Sequence, residues 1–532
     1  MPKTVQKTLT FPLAGVSRRR GYREQQRPYA APWAVNVRGV GPFESRGRGG
    51  SRPGLSKVHA NDFGSVITAI NSVTSVDSSG NLCHDLVIIA DGIISYLRAS
   101  SVVTPTARLL WPNGDVVLWE NGDVIVFDST VSAASPIGPT DAYDTVERNG
   151  KLYIADSVLR VFNPQAGNVE VVEGTPPAGL PTIALYRDRI FLSGVNHQWF
   201  CCRQSDVTDW DFGGYEGNKG RAVAGQLEEA GLIGAAVKAM IPYKDNVLLF
   251  ACADSLWVLR GDPTTGTLRN LSTEIGIIGP DAYALTPDGR LVFLSNNGLY
   301  MWNMGSDGAP VPFSDERVPE ELKNVSPTTN TITMAYDATG QGVHLFLTPT
   351  TGTGTHWWVD LDNKALWPVI LQADHEPLAI GRIETNGLGE VVIGCSDGYL
   401  RKFAAANTSD DGTAISSHIL LGPFRISRSD TEDAVLQEIH GIMASNAGVV
   451  TWQIYAGENA EAVTDAAVTG INAVLAGGSP TGVAASGTWA ANRNKVERAR
   501  VRGAWIVVWL YSVVRWSYEA VAVTALQQGR LR

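Results

Sequence analysis

Hydrolytic, redox and metal chemistry all need acids, bases or thiols within a few ångströms of one another, and this sequence spaces them widely. Its eight histidines are scattered, with no His-Glu-x-x-His or His-x-His pair. It contains no Gly-x-x-x-x-Gly-Lys-Ser/Thr loop, so no phosphate cradle of that kind is encoded. The five cysteines, Cys83, Cys201, Cys202, Cys252 and Cys395, are odd in number and form no Cys-x-x-Cys. That argues against a disulfide framework or a zinc site and suits synthesis in a reducing cytoplasm. Cys201 and Cys202 are neighbours in a strand-like stretch, where alternation sends them to opposite faces as core residues.

Clustered carboxylates are the next candidates. NTSDDGTAI (407–415) is similar to the Asp-box of sialidase-type propellers but one residue short, and such boxes are structural turns. DLDNK (360–364) and SDTEDA (429–434) lack the alternating ligands and the glycine of a calcium loop. Both read as Asx turns or caps. A glycosidase pair could still assemble from distant loops, a geometry that spacing does not reveal. Trp199, Trp257, Trp302, Trp357 and Trp358 could stack sugars, but several recur at one place in a repeat, which predicts packing. No catalytic residue, metal ligand or cofactor is predicted, and the chain reads as a non-enzyme.

What remains is charge. ESRGRGGSRPGLSK (44–57) holds four basic residues and five glycines or prolines, and residues 1–58 carry twelve Lys or Arg against two Glu. The rest carries 31 bases against 51 acids, within a net charge of −10. Such asymmetry marks an arm that docks on something acidic. Arg18, Arg19, Arg20, Arg23, Arg27, Arg46, Arg48 and Arg52 are its candidate contacts. No signal peptide is expected, because Arg18–Arg20 stand where a cleavage region would lie. No membrane insertion is expected either: the best apolar run, AWIVVWLYSVV (504–514), has eleven residues where a spanning helix needs roughly 20.

The elements that must carry these residues are short strands. From about 60 to 405 a turn of Asn, Asp or Gly leads repeatedly into a β-rich run, a second turn, and a strand with a large apolar residue. GKLYIADSVLRVF (150–162), GRLVFLSNNGLYMW (289–302) and GEVVIGCSDGYLRKF (389–403) are examples. LLWPNGDVVLWENGDVIVFD (109–128) adds two NGD hairpin turns. Repeats of about 40–50 residues built of short strands predict a β-propeller, here irregular, with seven blades and a range of six to eight. The predicted organisation is all-β: an extended basic arm over 1–58, the propeller over 59–412, and a β-sandwich-like domain over 413–532 with one helix at 459–471. GYEGNKGRAVAGQLEEAGLIG (214–234) breaks the pattern and reads as an inter-blade insertion with a short helix at AGQLEEAG.

Two passages resemble one family. APWAVNVRGVGPFESRGRGGSRPGL (31–55) is similar to the opening of tail nozzle or hub proteins of short-tailed phages, of the tail tubular protein B type. LLGPFRISRSDTEDAVLQEIHGI, VTWQIYAGENAEAV, WAANRNKVERARVRGAWIVVWL and the terminal WSYEAVAVTALQQGRLR resemble the same group, so the likeness covers about 150 residues. It implies a virion tail protein in a homo-oligomeric, commonly sixfold ring below the portal and the head–tail adaptor protein, also meeting tail fibre or spike proteins. The ring would conduct the genome, with DNA a transient passenger that an acidic lining does not hold. The arm would order on assembly. Two other expectations stand beside this one: a receptor- or carbohydrate-binding tail propeller, and a propeller hydrolase of cell-surface glycans.

Overall fold

The computed structural model describes residues 4–18, 30–39, 48–60, 62–77, 79–98, 101–103, 142–214, 217–315, 317–318, 320–385, 388–429 and 432–530. Within them, seven four-stranded antiparallel sheets follow in chain order over 67–103, 144–171, 182–226, 237–272, 283–312, 330–369 and 377–404. In each sheet successive strands are hydrogen-bonded neighbours. First strands of consecutive sheets pack on one another from the first sheet to the fourth and from the fifth to the seventh, the fourth and fifth share one apolar core, and Pro377–Thr385 of the last packs on Ile67–Val76 of the first. The ring therefore closes as a seven-bladed β-propeller, matching the predicted class and blade number. Tight turns enforce the hairpins. Asp91–Gly92 and Asn149–Gly150 each place two successive residues at positive φ, the conformation a two-residue hairpin requires. The NGD hairpins at 109–128 lie outside the described residues.

Trp199, Trp257, Trp302, Trp357 and Trp358 are all buried, most of their ring surface filling the spaces within and between blades. Cys201 and Cys202 do pack into different cores, one with Phe191 and Trp199, the other with Leu192 and Trp210. Burial pushes their thiols up, to about 12 and about 11. The 214–234 stretch is not simply an insertion. Val223–Gln226 is the outer strand of blade 3, pairing with Gln198–Cys201, and only Leu227–Ala230 turns as a 3-10 helix.

The C-terminal unit is a sandwich. Its five-stranded sheet runs Ala34–Val35, Ser417–Arg425, Trp505–Ser512, Val450–Gly457, Ala485–Trp489. Its four-stranded sheet runs Thr4–Leu9, Tyr518–Arg530, Glu432–Met443, Glu497–Gly503. The helix Ala460–Leu475, capped by Asn459 accepting from the Ala462 N–H at 2.7 Å, covers the outer face of the five-stranded sheet. That explains the apolar run at 504–514: Trp505–Ser512 is the central strand, buried on both faces. Among the described residues no helix is long and apolar enough to cross a membrane.

The described residues among the first 58 correct the expectation of a free arm. Thr4–Leu9 adds an edge strand beside Tyr518–Arg530, and Ala34–Val35 adds one beside His418–Ile419. Gly54–Lys57 is the fourth strand of blade 7, paired with Arg401–Ala404. These segments are short and glycine-interrupted, so they show no period of their own; their partners on the two domains supply the order.

Candidate assembly interface

Between propeller and sandwich the N-terminal residues form a strap. Gly15 has φ +78°, and a Cβ there would lie 2.7 Å from the Leu366 nitrogen, so only glycine allows the strap to press against blade 6. Its neighbour Val16 donates its N–H to the Leu366 carbonyl at 3.0 Å. Further on, Asn36 donates to Pro368 O at 3.0 Å and accepts at Oδ1 from the Ile370 N–H at 3.0 Å. The Ser51 N–H reaches Trp516 O at 2.9 Å, and the Trp516 N–H returns to Ser51 Oγ at 3.1 Å. Phe11 fills the seam, its ring 5.5 Å from that of Trp367 in blade 6 and 5.6 Å from that of Tyr518 in the sandwich.

Three of the predicted contact arginines are described, and each is engaged within the chain. Arg52 is 1% exposed. It donates from Nη1 to Asp410 Oδ1 and from Nε to Asn36 Oδ1, both at 2.9 Å, and Nη2 pairs with the second Asp410 oxygen. Asp410 Oδ1 also accepts from the Leu55 N–H at 3.1 Å. Arg52 is thus a buried latch that fixes the closing strand of blade 7, and its assignment as a contact to another subunit is corrected. Arg18 pairs with Glu321 and Arg48 with Glu519, both nearer the surface. Arg19, Arg20, Arg23, Arg27 and Arg46 lie outside the described residues. Beside Arg18 a groove of about 710 Å³ opens between strap, blade 6 and the sandwich helix, walled by Trp33, Glu321, Lys323, Trp357 and Leu475.

Two groupings were not foreseen. Arg38 lies over the Trp358 ring at 3.9 Å and is 6% exposed; burial brings its guanidinium down to about 10, against the charges of Asp337 and Asp360. It lines a cavity of about 560 Å³ between blades 6 and 7. The second grouping is Asp144 of blade 2 and Asp281 just before blade 5. These blades are not adjacent, yet the Asp281 charge acts on Asp144 and on Tyr143, and both aspartates act on Tyr283. Burial, then the Asp281 charge, raises Asp144 to about 7; Asp281 is exposed, yet desolvation by the protein around it raises it to about 6. Neither aspartate belongs to a recognisable motif; a start-of-blade position was the only sequence signal. Asp410 did sit in a stretch singled out as a turn, whose partner lies 358 residues away.

Among the described residues no group of three or more His, Cys, Asp or Glu is placed to hold a metal ion. Asp360 Oδ1 instead accepts from the Asp362 and Asn363 N–H groups at 3.1 and 2.9 Å, an Asx turn as its sequence suggests.

No protein-family model matches the chain, and no curated protein matches it. Among solved structures, the extracellular domain of the one-component system BT4673 from B. thetaiotaomicron is similar at 13% identity over 74% of this chain, with a TM-score of 0.41. This chain spans 45% of that chain's length. U3-55K is similar at 11% identity over 66% of this chain and 99% of its own, TM-score 0.36. For the WD40 repeats of RRP9 the figures are 10%, 66% and 99%, with a TM-score of 0.38. The seven-bladed ring in this chain stands on its own strand order.

Proposed function

We propose that the chain is a structural protein of a short phage tail, a nozzle or hub subunit with no enzymatic role. It assembles with copies of itself into a ring, sixfold by the resemblance, below a head–tail adaptor, and offers an outer surface to fibres or spikes. Its place is the virion tail after synthesis in the host cytoplasm. DNA passes through without being held, as the acidic remainder of the chain favours.

The reading rests on the meeting of two distant passages. The stretches that resemble tail nozzles, 31–55 and the C-terminal 120 residues, are neighbours in space: Ala34–Val35 pairs with the sandwich, and Ser51 bonds to Trp516. Together they make one module, as a shared assembly function would require. The remaining arginines of the expected contact set, Arg19, Arg20, Arg23, Arg27 and Arg46, are then the contacts to acidic surfaces of a neighbouring subunit or the adaptor.

Deleting residues 1–58 is a poor test, because it removes the outer strand of blade 7 and two edge strands of the sandwich. Substituting Arg19, Arg20, Arg23 and Arg27 by Ala leaves those strands in place. Negative-stain microscopy and sedimentation of both proteins, alone and with the adaptor ring, provide the readout. Rings with a central hole from the unaltered protein, lost or loosened in the variant, are expected. Monomers from the unaltered protein under both conditions would overturn the ring assignment.

A further inference from the structure

We propose that the edge strand Glu497–Gly503 of the sandwich, with the turn before it, is a basic docking edge that meets an acidic face beside blade 3 of a second copy of the chain. The inference rests on the ring reading above and names the two surfaces that join one subunit to the next.

Charge is divided unevenly between the two domains. Residues 59–412 carry 21 Lys or Arg against 42 Asp or Glu, whereas residues 413–532 carry ten against nine. Five of those ten bases, Arg493, Lys495, Arg498, Arg500 and Arg502, fall within ten consecutive residues that hold a single acid, Glu497, and all five are exposed. Lys495 lies 3.7 Å from Glu497, and Arg502, 65% exposed, pairs with Asp433 at 2.8 Å. Among the described residues Arg493, Arg498 and Arg500 have no carboxylate partner.

Glu497–Gly503 is the last strand of its sheet, bonded on one side to Glu432–Met443. Charged side chains on such an edge keep further strands from adding to it. Here the register already shifts beside Arg500, which has φ +51°, and a bulge of this kind spoils backbone pairing by itself. Edge protection accounts neither for the number of bases nor for Arg493 and Lys495, which lie ahead of the strand. The edge is therefore suited to meet a partner with its side chains, and its sign selects an acidic one.

The chain carries such a surface on the far side of its own propeller. A Cβ on Gly174 would lie 1.9 Å from the Thr208 carbonyl oxygen, so Glu173 is carried next to the turn at 206–211 in blade 3. There an open depression of about 690 Å³ is lined by Gly174, Asp209, Trp210 and Asp211. Asp209 pairs with Arg203 at 3.3 Å, whereas Glu173, Asp206 and Asp211 are exposed and have no ion-pair partner among the described residues. The strap joins the sandwich to blades 6 and 7. In a closed ring of seven, blade 3 is three blades from either. One copy thus holds its basic and acidic surfaces on opposite sides and does not pair them within itself. Pairing them with a second copy leaves the same two surfaces open at the ends, and such a head-to-tail contact repeats until the rotation closes a ring.

The test is charge swapping, read by sedimentation velocity of the full chain in about 50 mM and about 500 mM salt. The unaltered protein should self-associate, and less so at the higher salt. Arg498→Glu with Arg500→Glu, and separately Glu173→Lys with Asp211→Lys, should each weaken association about tenfold. Mixing the two variants should restore it, because each reversed surface then faces a complementary one. If the reversed edge fails to fold, Arg498→Gln with Arg500→Gln, which sets no like charge opposite Glu438, should still weaken association. Association that none of these variants changes would overturn the pairing and leave the ring reading standing. Monomers throughout, alone and with the adaptor ring, would overturn both. Weakening in each variant without recovery on mixing would mean that the two surfaces do not meet, and would overturn the pairing alone. So would capture of a DNA duplex of about 30 base pairs that is lost with Arg498→Gln and Arg500→Gln, which would make the edge a phosphate-binding strip.

Discussion

At the scale of single residues, the chain places its charges in unequal settings, and Asp144 and Asp281 are the clearest case. A carboxyl titrates near 3.9 in an unfolded chain, whereas Asp281, though exposed, is raised to about 6 by desolvation and Asp144 to about 7 by burial and the Asp281 charge. A folded-state pKa above the unfolded one means that the folded protein takes up protons first as pH falls, so stability rises on acidification through that window. Tyr143 and Tyr283, also raised by burial, are the other titratable groups recorded beside the pair, and both stay neutral there. Asp281→Asn removes one charge that the surrounding protein disfavours, although the residue is exposed, and the repulsion it exerts on Asp144. The variant should melt about 1–2 °C higher than the unaltered protein at pH 8. Its advantage should be constant well above pH 7, shrink as Asp144 and then Asp281 take up protons, and vanish near pH 4, in thermal melts followed by circular dichroism. An advantage that did not change with pH would mean that the gain came from packing rather than charge.

At the scale of elements, blade closure depends on four residues. Gly54–Lys57 supplies the outer strand of blade 7, so the propeller's first and last parts are joined by hydrogen bonds rather than by chain connectivity alone. A Cβ on Gly54 would lie 2.1 Å from the Ser409 carbonyl oxygen. Gly54→Val should therefore force the strand off and destabilise the protein by about 1–3 kcal/mol. Hydrogen exchange should accelerate in Leu400–Ala404, while Ser417–Arg425 in the sandwich keeps its protection; equal acceleration in both would mean that the strap acts on the whole molecule. The repeating hairpins were legible in the sequence because their turns and partners are local: Asn149–Gly150 joins strands that pair within a dozen residues. The helix was legible from its cap and period, and runs one turn beyond 471. The closing strand was not, since Leu55 pairs with Phe403 and nothing in GLSK itself names that partner. The same holds for the candidate sites. Arg52 was noticed as a basic residue, but its burial depends on Asp410, and the cavity around Arg38 exists only once blades 6 and 7 are side by side.

At the scale of the whole molecule, the basic strap is mortar between two domains that share one continuous apolar core. A chain whose first 58 residues carry a surplus of ten positive charges, and whose remainder is acidic, gains from threading the first through the second. Arg52, Arg48 and Arg18 each end on a carboxylate more than 300 residues away. The strap's apolar contribution centres on Phe11, between Trp367 of the propeller and Tyr518 of the sandwich. A Cβ on Gly49 would come within 2.2 Å of two or more Phe11 ring atoms, so that side of the ring is already packed to contact. If the two domains hold their relative position through this seam, Phe11→Ala should cost about 3–5 kcal/mol, the range for a buried phenylalanine. Calorimetry should then separate one unfolding transition into two, propeller and sandwich, because neither domain's internal sheets contain Phe11. A single transition, merely lowered, would place the coupling in the strand pairings of Thr4–Leu9 and Gly54–Lys57 instead. In that case the ring proposed above would be built from a unit whose rigidity comes from backbone stitching, and substitutions in the seam would leave assembly intact.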